Sequence, residues 1–410
     1  MTRLEFYRVL APVVAAIKCG HTDVCPAPLR ELINVSGAGN PLLPLYVRVL
    51  EGKLYVLKDF SGQLPSLVGK ELRSVNGVPS SSIIEKLLAA ARGDGDIQSS
   101  RMFFIGGWRF SFQLFALMGM RGPYEVILWD SKEKREIKAR LAGADVARLQ
   151  DASGEKFFED QRPETAARLK FLDGGKIAVM SVHQFSEFVG ADRTKKLAEF
   201  FQESFGAIRE AGTETLILDV RNNGGGADEL GKLLLSYLLD KPFKYYDDLV
   251  VNAAEFRVTR HRFWQTGDQM VRRPDGKYRM VKHPNWGLQE PSKPTFAGKV
   301  YILINGGSFS TTAEFLSHAR FHKRATFIGE ESGGGYYGNT SGEGINLTLP
   351  NTKVYVRIPQ VSYRLAVGSY EAPGASHGVL PDHLVQYSIE DVRAGTDKEL
   401  TLALELARRR

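Results

Sequence analysis

The sequence predicts an α/β fold with a buried, largely parallel sheet, and three stretches predict it. TLILDV (215–220) runs into the glycine turn RNNGGG and then a helix pattern from about Asp228 to Leu239. KVYILI (299–304) repeats the design through NGGSFS into TTAEFLSHARFHK, and GKIAVMSVHQF (175–185) precedes the charged amphipathic run DRTKKLAEFFQESFGAIREAG. Continuous apolar strands alternating with helix-length amphipathic segments are the mark of βαβ units whose sheet is covered on both faces.

The elements follow in chain order. Residues 1–18 read as a helix that DVCPAP breaks with two prolines. Its apolar part, VLAPVVAAI, is too short to span a bilayer. Arg3 and Arg8 before it suit a signal-peptide core, but Glu5 and the immediately following GHT favour an amphipathic helix packed on a domain. From Leu43 the pattern changes: LYVRVLEGKLYVLKDF is a hairpin about Glu51-Gly52, GKELRSVNGVPSSSIIEKLLAAA is a strand, an Asn76-Gly77 turn and a helix, and GPYEVILWDSKEKREIKARLAG adds two strands. The expected organisation is an N-terminal helical segment (1–39), an α+β module (40–145), and a larger core (165–410) interrupted by a surface excursion at about 240–295.

Composition bounds the function. The 410 residues are 43% hydrophobic and 25% charged, which is ordinary globular chemistry with enough apolar surface for at least one large core. The net charge of +7 is spread along the chain without a basic block or an interleaved aromatic stripe, so no nucleic-acid partner is expected. Cys19 and Cys25, in KCGHTDVC with His21 between them, leave a disulfide, a metal pair or two inert thiols open; no second ligand cluster completes a zinc set, and neither metal nor organic cofactor is called for. Oligomeric state is not encoded at this level.

A glycine turn after a buried strand suits either a phosphate or the oxyanion of a reacting carbonyl. Gly226 to Leu233 comes close to a phosphate-binding loop, but Leu233 stands where a hydroxyl should bind metal, and Asp228 and Glu229 would put two carboxylates in the cradle. The second turn points to the other answer. Ser308 and Ser310 lie between a strand and a helix whose start, Thr311 to Glu314, has a capping-box pattern. If the two strands are neighbours in a parallel sheet, both turns emerge at one edge. A glycine N–H from Gly224 or Gly225 and the N–H of Thr311 then converge beside Ser310. The plainer reading of these serines is that they only cap the helix.

LDVRNNGGG and INGGSFSTTAEF resemble the two active turns of the C-terminal processing (tail-specific) serine peptidases and their tricorn-core-like relatives, with Gly224 in a proline position. GKELRSVNGVPSSSIIEKL is similar to their PDZ-like module and GVLPDHLVQYSIEDVRAGTDKEL to their C-terminal segment. The resemblance implies a ClpP/crotonase-like catalytic core, a PDZ-like domain, and hydrolysis of polypeptide substrates, including the processing of C-terminal ends. It implies Ser310 as nucleophile and Gly225 or Gly224 with Thr311 as oxyanion donors. The processing branch's lysine position falls on Gly335, so a Ser-Lys dyad is absent. The tricorn-like branch instead uses a histidine after an N-terminal helix, which implies His21, in Gly20-His21-Thr22, as general base. Its orienting glutamate falls on Glu371 or Glu331, with Glu330 and Glu343 as competitors.

Tyr336 and Tyr337 in SGGGYYGN are expected as walls of the substrate groove. His183 ends a strand and lines either the cleft or the core; His318 and His322 lack the glutamate of a zinc-protease helix and read as packing or surface residues. His377 lies near the site in the C-terminal segment without an assigned role. The loss of the lysine motivates an alternative, a non-catalytic ligand- or peptide-binding protein on the same fold. The chain also begins close to GHT for such a family, which leads to the expectation of a preceding segment with an export signal and a periplasmic or extracellular location.

Overall fold

The computed structural model describes residues 1–26, 42–62, 65–144, 165–190, 193, 195–252, 255–256, 261–262, 270–370 and 374–409. Helix α1 (Arg3–Ala15) starts at Thr2, whose hydroxyl accepts from Glu5 N–H while the Glu5 carboxylate accepts from Thr2 N–H. It buries Tyr7, Ala11 and Val14 against the following module. The chain then turns through His21 into a short strand, Asp23–Cys25, which pairs antiparallel with the long strand Tyr355–Leu365. Cys19 and Cys25 form no disulfide with each other.

The module from Leu42 to Ala144 is built on an antiparallel sheet in the order Leu45–Leu50, Lys53–Asp59, Glu71–Val75, Tyr124–Asp130, Arg135–Leu141. Its two tight turns fall where expected, with left-handed Glu51-Gly52 and Asn76-Gly77. Helix Ser80–Ala90 covers one face, and two further helices, Gln98–Ile105 and Trp108–Ala116, occupy a stretch in which no element was expected.

The core sheet runs β1 (Ala167–Leu172), β2 (Ile177–Val182), β3 (Thr215–Asp219), β4 (Lys299–Ile304), β5 (Thr326–Gly329) and β6 (His383–Leu384), in that spatial order. All pairs but β1–β2 are parallel. On one face lie α2 (Leu197–Glu210), α3 (Asp228–Ser236) and α4 (Thr311–Phe321), which share a single apolar cluster with the sheet. The other face is closed by α5 (Lys398–Arg408) through Ala403 and Leu400. Since β3 and β4 are hydrogen-bonded neighbours, with Asp219 opposite Leu303, the turns that follow them share one edge.

Two expectations are corrected. The 240–295 stretch is more than a surface excursion: Tyr246–Val251 pairs with Tyr355–Leu365, and Tyr245, Tyr246, Leu249 and Val251 are buried. Helix α4 has no capping box. Ser310 is its N-cap without a side-chain cap bond, and Glu314 turns away into the protein to meet Tyr246 and Asn339.

Candidate active site

The two turns are stitched together before any catalytic group is considered. Asn222 N–H donates to Asn305 Oδ1 and Asn305 Nδ2 donates back to Asn222 Oδ1, both at 2.9 Å. Ser308, fully buried, donates to the Val220 carbonyl at 2.8 Å, and Phe309 N–H donates to the Asn223 carbonyl at 3.0 Å. Ser308 is thus a structural brace.

Ser310 follows with φ 57° and ψ −129°, a conformation that L-residues rarely hold. It projects the hydroxyl from a sharp strand-to-helix turn. The neighbouring backbone must come close: a Cβ on Gly225 would lie 2.7 Å from Ser310 Cβ and 2.9 Å from Phe309 O, and Gly225 itself has φ +98°. Only glycine meets both demands.

His21 Nε2 lies 3.0 Å from Ser310 Oγ. The imidazole stacks on Phe309 with centroids 4.6 Å apart. Gly20 N–H donates to buried Asp94 Oδ1 at 2.6 Å, fixing the loop that carries His21. Burial, then the charges of Arg92 and Arg357, push the His21 imidazole down to about 3, so the ring is neutral at neutral pH and a nitrogen lone pair is available to the Ser310 hydroxyl. His21 Nδ1 is buried and has no hydrogen-bond partner among the described residues.

Gly225 N–H is already donated to Asn223 Oδ1 at 2.9 Å. Gly224 and Thr311 line the cleft.

Of the two glutamates expected as a third member, Glu331 accepts from His377 Nδ1 and Gly378 N–H, both at 3.0 Å, and is not bonded to His21. Glu371 lies outside the described residues. Tyr336 and Tyr337 do not wall the cleft. Tyr336 is buried, stacked on Tyr370 at 4.3 Å, and the Tyr337 hydroxyl accepts from Tyr370 N–H. Apolar Gly-rich turns look alike whether they face in or out, which is why the sequence misplaced them. The cleft, of about 2000 Å³, is instead walled by Phe103, Phe104 and Phe309, Tyr46 on the first strand of the middle module, and Tyr363 and Tyr387. His183 lines it as well, whereas His318 is buried with Nε2 2.9 Å from the Tyr245 carbonyl.

Asp94 had no sequence signal, because it acts through Gly20, a partner distant along the chain, and Tyr363 had none either; Asn223 was visible only as part of the turn motif. Arg221 was visible only as part of the turn motif. Its guanidinium binds Asp219 and Asp397, with Glu399 at 3.1 Å, tying the glycine turn to the start of α5.

Residues 176–384, just over half of the chain, match peptidase family S41. The chain belongs to peptidase family S41. It is a serine peptidase, acting on polypeptides, and the non-catalytic alternative finds no support. Among solved structures, mature CPAF is similar in fold to this S41 peptidase over 99% of the chain and 87% of its own, with 14% identity and a TM-score of 0.64. Mature CPAF complexed with lactacystin aligns over 99% and 88%, at 14% identity and the same TM-score of 0.64. The photosystem II D1 C-terminal processing protease covers 93% of the chain and 81% of its own at 15% identity, with a TM-score of 0.39. No helix among the described residues is long and apolar enough to cross a membrane.

Proposed function

We propose that this S41 peptidase is an endopeptidase that cleaves peptide bonds by acyl transfer, with Ser310 as nucleophile and His21 as general base. The 3.0 Å approach of His21 Nε2 to a Ser310 held at φ 57° carries this reading. His21 takes the hydroxyl proton as Oγ adds to the scissile carbonyl, and returns it to the leaving amine; water then resolves the ester by the reverse route. The oxyanion accepts from Gly224 and Thr311 N–H, the latter at the positive end of α4. Because Arg92 and Arg357 oppose imidazolium formation, the developing oxyanion supplies the negative charge that stabilises it.

The middle module, 40–145, is proposed as a PDZ-like domain that presents substrate. Its edge strand, Leu45–Leu50, borders the same cleft as Ser310; its Val47 carbonyl already accepts from Gly107 N–H at 2.7 Å, so a substrate peptide would be presented along the rest of that edge. Processing of C-terminal ends follows if the module holds a chain terminus. Glu371 remains the candidate to orient His21, and Glu371→Gln should lower kcat at least tenfold if it does.

The test is hydrolysis of an unfolded polypeptide by wild type and Ser310→Ala, with mass spectrometry of the quenched enzyme. A transient acyl adduct on the Ser310 peptide, absent in the variant together with turnover, is expected. Equal turnover by Ser310→Ala would refute the assignment.

A further inference from the structure

A second group of ionisable side chains lies directly beneath the proposed nucleophile, and the peptide chemistry does not use it. Tyr246 Oη is 2.6 Å from Asp228 Oδ2 and 2.9 Å from Glu314 Oε2. Asp228 opens α3, just after the oxyanion turn; Glu314 lies in the first turn of α4, its N–H bonded to the Ser310 carbonyl at 3.1 Å. The phenol has one proton and faces two carboxyl groups. If both were ionised, one of these two short contacts would join two acceptors. An additional proton makes both contacts attractive.

Its place follows from the surroundings. Glu314 is 3% exposed and its other oxygen accepts from neutral Asn339 Nδ2, at 2.8 Å. The other groups around it are the buried phenols of Tyr245 and Tyr246, and no cation pairs with it among the described residues. Asp228 reaches the cleft, has His283 Nε2 at 3.4 Å, and feels the charge of Lys232 one turn along α3. Ionisation is therefore cheaper at Asp228 than at Glu314.

We propose that Glu314 is a positioning residue: protonated, it donates to Tyr246, which donates to Asp228, and this chain of two bonds clamps the nucleophile helix to the helix behind the oxyanion turn. The helices have no slack where it acts, since a Cβ on Gly231 of α3 would lie 2.6 Å from Thr311 Cγ2. Loss of the proton leaves two carboxylates flanking one hydroxyl, and the strain falls on the relative placement of the Gly224 and Thr311 donors. Burial, then the charge of Asp228, push the Glu314 carboxyl up to about 7, so that the clamp opens as the pH rises through neutrality.

The inference rests on the Ser310 assignment, and its test separates the two. The rate of fluorophosphonate labelling at Ser310 is measured from about pH 5 to about pH 9 on wild type, Glu314→Gln and Glu314→Ala, and infrared difference spectra are recorded for wild type minus Glu314→Gln at low pH. Gln presents a donor to Tyr246 and an acceptor to Asn339 at every pH. Wild type should lose about tenfold or more in rate on the alkaline side, Glu314→Ala should be slow throughout, and Glu314→Gln should recover most of the rate with the alkaline fall removed. A carboxylic-acid carbonyl band should disappear in the Gln variant. A Gln variant that follows the wild-type pH profile, or is as slow as Ala, overturns the clamp, as does a missing carboxylic-acid band. If wild type does not label at any pH, the nucleophile assignment fails and positioning falls with it, while the infrared band still decides where the proton resides.

Discussion

At Gly225 two requirements meet in one residue: a left-handed backbone at φ +98° and a surface within van der Waals distance of Ser310 and Phe309. Gly225→Ala should therefore lower kcat by about 10²-fold or more and reduce stability, measured by steady-state kinetics and thermal unfolding. Gly224 differs, since a Cβ there meets nothing within 4 Å. Gly224→Ala should fold with nearly native stability. His21 gives a pH signature of its own. Its folded-state titration is depressed from the ordinary 6.5 to about 3, so the unfolded chain binds the proton that the folded chain refuses. The stabilising contribution of neutral His21 is present above about 6.5 and is lost as pH falls toward 3. His21→Phe, measured by denaturant unfolding across that window, should show a smaller loss of stability in acid than wild type.

Among the elements, the oxyanion turn is tethered to α5 through Arg221, whose guanidinium meets Asp219, Asp397 and buried Glu399. The Tyr387 hydroxyl donates to the same Glu399 carboxylate. Arg221→Met removes the cation and leaves three carboxylates facing one another. The expected cost is about 2 to 3 kcal/mol in urea unfolding, less than for a fully buried pair because solvent screens Asp397. A change within about 0.5 kcal/mol would mean that the network is surface decoration. Strand and turn composition made β3, β4 and their turns legible in the sequence, because a short apolar run leading into Asn and Gly has few other uses. The capping box at Thr311–Glu314 was misread for a related reason: Glu314 has the right spacing for a cap, but a tertiary partner, Tyr246, outcompetes the helix end for its carboxylate.

Over the whole molecule, the candidate site is assembled from three distant parts of the chain. His21 comes after α1, Ser310 comes from the core, and Asp94 in the middle module holds the Gly20 N–H and, at 3.4 Å, the Gly335 N–H. Asp94→Ala should lower kcat by roughly tenfold with little change in KM, because it frees the His21 loop without altering the groove walls. Such long-range ties explain what the sequence withheld. Hydrophobic periodicity reports which face of an element is buried, not which partner lies across from it, so Asp94 and the Glu314–Tyr246–Asp228 bridge carried no signal. Tyr336 and Tyr337 were assigned to the wrong side of their own turn for the same reason.

The most direct test is fluorophosphonate labelling followed by peptide mapping on wild type, Ser310→Ala and His21→Ala. The account predicts a single labelled peptide containing Ser310, no label in Ser310→Ala, and labelling slowed by about 10³-fold or more in His21→Ala. Folded wild type that takes no label, or His21→Ala that labels at the wild-type rate, would contradict it.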